Sequence, residues 1–194
     1  MYGGSGLGLT ELTEAAFSVL LSNLNTEIVS VGNRYLASDQ ALAAARGMAY
    51  ATVNLEPIQT NNFCLGHRPS LIEAPIENYP NISVMAYKSS AEPNSVDQID
   101  QTIANLYVEV MVKGTELEGE ELVNRRITRT TDAVVNVLNK NSTLSGTFLP
   151  LERPPTVNIE NLFVRRKEKG KSEVFYWQGS RIDYFYSVSS DNFS

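Results

Sequence analysis

The 194 residues contain one cysteine (Cys64), one histidine (His67) and one tryptophan. A lone cysteine cannot close an intrachain disulfide, so nothing in the chain points to export through an oxidising compartment. With one histidine and no paired-carboxylate signature, the sequence offers no recognisable reaction chemistry, and the expectation is a protein that is not an enzyme. No cofactor and no metal are expected either. No apolar run approaches the ~20 residues that span a bilayer, so no membrane partner is expected. The opening Met1-Tyr2-Gly3-Gly4-Ser5-Gly6 lacks the basic region and apolar run of a secretory signal, and cytosolic synthesis is the expectation. What is there is ordinary globular material. Hydrophobic residues make up 42% and charged residues 20%, which excludes a generic disordered or collagen-like chain.

Basic residues are scarce where the chain begins. Residues 1–97 hold 4 basic and 9 acidic side chains, whereas residues 98–194 hold 12 and 13, for a net charge of −6. Such a balance repels a phosphate backbone at long range and disfavours avid, sequence-wide nucleic-acid binding. It is compatible with a surface past which DNA slides without sticking.

Periodicity organises most of the chain. A glycine-rich arm over 1–9 precedes Thr10, which can cap a helix running to about Leu24, with Leu12, Ala16, Val19 and Leu20 at helical spacing. Ser38-Asp39 can cap a second helix through Leu42, Ala45 and Met48. Between Glu56 and Pro80 lie Pro57, Pro69, Pro75 and Pro80, so an extended proline-containing arm is expected there. A strand follows over Ile82–Tyr87, with a polar turn from Lys88 to Asp97. In Leu106, Val108, Val110 and Val112 the period of two marks a second strand. Thr115 and Glu118 have capping-box spacing, and Glu116, Glu120 and Glu121 load the start of a long amphipathic helix. Val123, Ile127, Thr130, Val134 and Val137 form its apolar side, Arg125, Arg129, Asp132 and Asn136 the other, and Asn139 to Gly146 ends it. Val157, Ile159 and Val164 suggest a strand, as do Val174 and Tyr176, and then Ile182, Tyr184, Tyr186 and Val188. The sum is one α+β domain over 1–194, with a mainly antiparallel sheet packed against the long helix and an N-terminal helix.

Three constellations could carry chemistry. Cys64-Leu65-Gly66-His67 resembles half a zinc site but has no second pair, so a loop cysteine and loop histidine is the simpler account. Gly3-Gly4-Ser5-Gly6-Leu7-Gly8 lacks the strand and lysine of a phosphate-binding loop. Arg165, Arg166, Lys167, Lys169 and Lys171, with Glu168 among them, form a basic hairpin tip. That tip is either a solvated turn or a docking element for an acidic partner or nucleic acid.

The phrasing of the middle region resembles the tail terminator (tail-completion) family of tailed bacteriophages. The residues that carry this are Tyr79-Pro80-Asn81-Ile82-Ser83-Val84, then Leu106-Tyr107-Val108-Glu109-Val110-Met111-Val112-Lys113, Asn124-Arg125-Arg126-Ile127, and Asn141-Ser142-Thr143-Leu144-Ser145-Gly146. The resemblance implies a structural virion protein, assembled in the host cytoplasm and located in the tail or neck region. It would form a homohexameric ring that caps the tail tube, ends tube polymerisation and joins the tail to the neck. Its implied partners are further copies of itself, the tail tube protein, a neck or connector protein, and a tail sheath where one exists. DNA would pass through the lumen without specific binding. Another neck or head-closure role, or a nucleic-acid-binding module using the basic tip, are the alternatives.

Overall fold

The computed structural model describes residues 8–47, 53, 55–66, 79–88, 101–115, 119–146, 148–150, 156–158, 164–167 and 174–189. Its elements in chain order are α1 (Leu9–Arg46), a 3-10 turn (Thr60–Asn62), β1 (Phe63–Leu65), β2 (Asn81–Lys88), β3 (Gln101–Thr115) and α2 (Gly119–Lys140). Then come β4 (Leu149–Pro150), β5 (Thr156–Asn158), β6 (Val164–Lys167) and β7 (Val174–Ser189). The α+β class is as expected.

The sheet runs β1-β2-β3-β7, and β4, β5 and β6 pair in succession along the far edge of β7. Only β1 against β2 is parallel. Register explains the core. Val84, Val108 and Ile182 stand side by side across three strands, as do Ala86, Leu106 and Tyr184. Residues two apart share a face, so Ile82, Val110 and Val112 extend the same apolar layer. Every one of these aliphatics except Ala86 is fully buried. Onto that layer α2 sets Val123, Ile127, Val134 and Val137, and α1 sets Leu12, Ala16, Leu20, Leu24 and Ile28.

The first difference from the sequence reading is helix length. The expected helices at 10–24 and from Ser38 are one helix of 38 residues, about 57 Å long. No proline interrupts it and Ala41, Ala43, Ala44 and Ala45 favour its continuation. Its cap is Gly8, not Thr10, with the Gly8 N–H donating to the Glu11 carboxylate at 3.0 Å. Gly47 ends it at φ 60, a left-handed position suited to glycine. Ser38 and Asp39 therefore lie inside the helix.

The proline-containing arm is also corrected, in part. Ile58 and Phe63 are buried in the core, and Phe63 meets Phe17 edge-to-face with ring centroids 6.2 Å apart. Asn25 fixes this segment from α1, its Nδ2 donating to the Ile58 carbonyl at 3.0 Å and its Oδ1 accepting the Ile58 N–H at 2.8 Å. A single amide that satisfies both backbone groups of one residue substitutes for sheet pairing. Cys64 and Leu65 sit in β1 rather than in a loop. Residues 67–78 of the arm, with His67, lie outside the described residues, as do 1–7 of the glycine-rich arm and the polar turn from 89 onward.

Thr115 ends β3, so it does not cap α2. Glu120 and Glu121 occupy the first turn of α2 as expected, while Glu116 and Glu118 lie outside the described residues. The late strands divide differently too. Val157 and Val164 belong to separate strands, whereas the two segments expected around Val174 and Ile182 are one strand, β7. The turn after α2 carries Leu144, Ser145 and Gly146 at φ 46, 68 and 84, and Leu144 is fully buried there.

Candidate interaction site on the seam between the helices

Where α1 runs past the apolar core it stays beside α2, and the residues between the two helices become ionic. Beyond Val31, Asp39 is the one described residue of α1 that is buried. Arg129 forks onto it, Nη1 donating to Oδ2 at 2.9 Å and Nη2 to Oδ1 at 2.8 Å. One turn earlier on α2, Arg125 reaches the same Oδ2 at 2.8 Å. Arg125 and Arg129 share a helix face because they are four apart, which is how one carboxylate meets both. The Arg129 fork holds Asp39 below the usual carboxylate range, with Arg125 assisting, against the upward pull of burial.

Tyr35 joins the cluster. Its ring lies under the Arg129 guanidinium at 4.5 Å and within 5.5 Å of Arg34, and its hydroxyl donates to Asp132. That hydrogen bond raises the phenol above its ordinary value, with burial adding to it. Two turns along the seam, Glu27 accepts from Asn136 Nδ2 at 3.0 Å and pairs with Lys140, whose hydrogen bond holds Glu27 below its ordinary value. The side of α2 carrying Arg125, Arg129, Asp132 and Asn136 is thus engaged by α1, and Arg129 is buried rather than solvated.

An open pocket of about 200 Å³ sits in this seam, lined by Tyr35, Asn124, Arg125, Thr128 and Arg129. Its polar atoms are largely committed. Thr128 donates to the Asn124 carbonyl at 2.9 Å, and Asn124 Oδ1 accepts from Gln178 Nε2 of β7 at 2.9 Å. The pocket is therefore held by α1, α2 and the sheet together.

A second polar cluster lies on the sheet face turned away from the helices. Arg181 pairs with Asp183 at 3.2 Å, donates to the Tyr87 hydroxyl at 2.9 Å, and lies 4.4 Å over the Tyr107 ring. Asn105 Nδ2 donates to Asp183 at 3.0 Å and to Tyr87 at 2.8 Å. Burial opposes the charge on Arg181, but Asp183, with Tyr87 and Tyr107, carries it above its ordinary value.

Of the sequence-predicted docking residues, Arg165, Arg166 and Lys167 are in β6, paired with Tyr176, Phe175 and Val174 of β7. They are strand residues, not a hairpin tip. Lys169 and Lys171 lie outside the described residues. Cys64 is half-buried in β1, and no group of three or more possible metal ligands occurs among the described residues. No described helix is long and apolar enough to cross a membrane.

Sequence reasoning missed Asp39, which it assigned to a helix cap. The available signal was a single carboxylate in a long exposed alanine-rich stretch, with two arginines four apart on another helix. No protein-family model matches the chain, and no curated protein matches it.

Proposed function

We propose that the protein is a tail terminator: a homo-oligomeric ring that caps the phage tail tube, stops its growth and joins the tail to the neck. The motif resemblance suggests the role, and the observation that carries it furthest is the outer surface of α1. Among the described residues, four of the five large hydrophobics left exposed lie on this one helix: Leu21, Val29, Leu36 and Leu42, between 36% and 56% exposed. Apolar side chains spread along the outside of a 57 Å rod, about that length by helical rise, suit burial against neighbouring copies.

A repeated head-to-tail contact closes into a ring when the rotation between subunits divides the circle. The role needs no reaction chemistry. The acidic balance also suits a lumen through which DNA slides, since avid phosphate contacts would arrest it. Electron microscopy of tails assembled with and without the protein tests the reading. Capped tubes of uniform length are expected with it, and overgrown or headless tubes without it. Unchanged tails in its absence would refute the role.

A further inference from the structure

We infer that α1 is a hinged element: the part beyond Gly32 is an arm that swings about that glycine and is latched to α2 through Asp39. The inference rests on the two helices alone and is independent of the ring assignment.

Two kinds of anchor divide the helix. From Leu12 to Val31 its buried residues are apolar apart from Glu27, and the apolar ones enter the core. From Gly32 to Arg46 only Asp39 is buried, and only Tyr35 packs partly against the core. Residues 33–46 are therefore held chiefly by polar contacts: the Arg129 fork, the Arg125 pair and the Tyr35 hydrogen bond to Asp132. When both partners of such a pair return to water together, the desolvation of each is recovered. Parting the arm from α2 thus costs far less than opening the apolar core, which makes it a separate unit of low stability.

The boundary between the two parts is also where the helix is weakest. Ile28-Val29-Ser30-Val31-Gly32-Asn33 consists of β-branched residues, serine, glycine and asparagine, all poorer helix formers than the alanines that follow. Space does not require the glycine. A Cβ at Gly32 would meet only the Leu55 Cβ, at 4.0 Å, an ordinary contact. What the position gains from glycine is backbone freedom. Leu36 and Leu42 are exposed on the arm, whereas Leu21 and Val29 are exposed on the fixed part. The latch therefore sets where half of the outer apolar residues of α1 stand.

The test places nitroxides at Glu14→Cys and Gln40→Cys, both exposed positions of α1, in the full chain carrying Cys64→Ser. Their separation is read by double electron–electron resonance. A straight α1 sets the two positions about 39 Å apart at about 1.5 Å per residue, and this distance should dominate in the latched protein. Asp39→Asn should add a second, shorter distance from the bent helix, with helical circular dichroism unchanged. Arg125→Gln, which leaves the Arg129 fork in place, should add less of it and serves if Asp39→Asn does not fold. Adding Gly32→Ala to either variant should shrink the bent population about fivefold. A single unbent distance in both latch variants would overturn the inference. So would a bent population untouched by Gly32→Ala, or one that appears only with loss of helical signal.

Discussion

Arg129 and Asp39, ninety positions apart in sequence, form a two-pronged ion pair that is almost wholly buried between the helices. Removing one partner of such a pair leaves an uncompensated charge, which costs more than the pair itself contributes. Asp39→Ala should destabilise the protein by about 3 kcal/mol in urea unfolding. Replacing Asp39 and Arg129 together by apolar residues of similar size should recover part of that loss, since Arg125 also gives up its contact with Asp39. Full additivity of the two single losses would show that the residues do not act as a pair.

Acid should weaken the same seam. Asp39 and Glu27 are both held below their ordinary values in the folded chain, so the folded state binds fewer protons than the unfolded state while they titrate. Their contribution is therefore fully present above the unfolded values near ~4 and is lost as pH falls through the lower folded values. Lys140 is 64% exposed, so solvent screens the Glu27 pair and Asp39 should dominate. Thermal midpoints measured from pH 7 to pH 2 should fall below about pH 4, and less steeply in Asp39→Asn. An identical pH profile in that variant would assign the acid loss elsewhere.

Val110 tests the packing of the sheet. It stands between Ile82 and Ser180 and is fully buried, so Val110→Asp places an unpaired carboxylate in the apolar layer. The variant should fail to fold cooperatively by circular dichroism. A wild-type melting temperature would mean that the layer between sheet and helices is misassigned.

That layer was legible in the sequence because two short periodicities encode it. Alternation from Leu106 to Val112 and the spacing of Val123, Ile127, Val134 and Val137 each need only local pattern, and all of these residues are buried. Where structure depends on partners remote in sequence, the pattern fell silent. Asp39 looks like a cap until Arg125 and Arg129 are seen opposite it, and the Ile58 segment looks like a free arm until Asn25 clamps it. β1 is three residues long, too short to show alternation, and it exists because β2 offers it a parallel edge. The exposed apolar surface of α1 escapes local pattern for another reason: it runs along one helix that the sequence pattern divides in two.

The β6 cations give a separate test of docking. Changing Arg165, Arg166 and Lys167 together to glutamate reverses local charge while β6 keeps its pairing with β7. Assembly should weaken more than with the glutamine triple variant, and the difference should shrink as salt rises. Equal assembly by all three proteins at low salt would remove β6 from the interface.

The ring itself is decided by the native mass of the purified protein across a range of concentrations. Six copies of the 21.4 kDa chain make a species of about 128 kDa, and Val29→Lys with Leu36→Lys on the outside of α1 should break it into folded smaller units. A wild-type chain that remains at 21.4 kDa throughout, both alone and with tail tubes, would contradict the proposal.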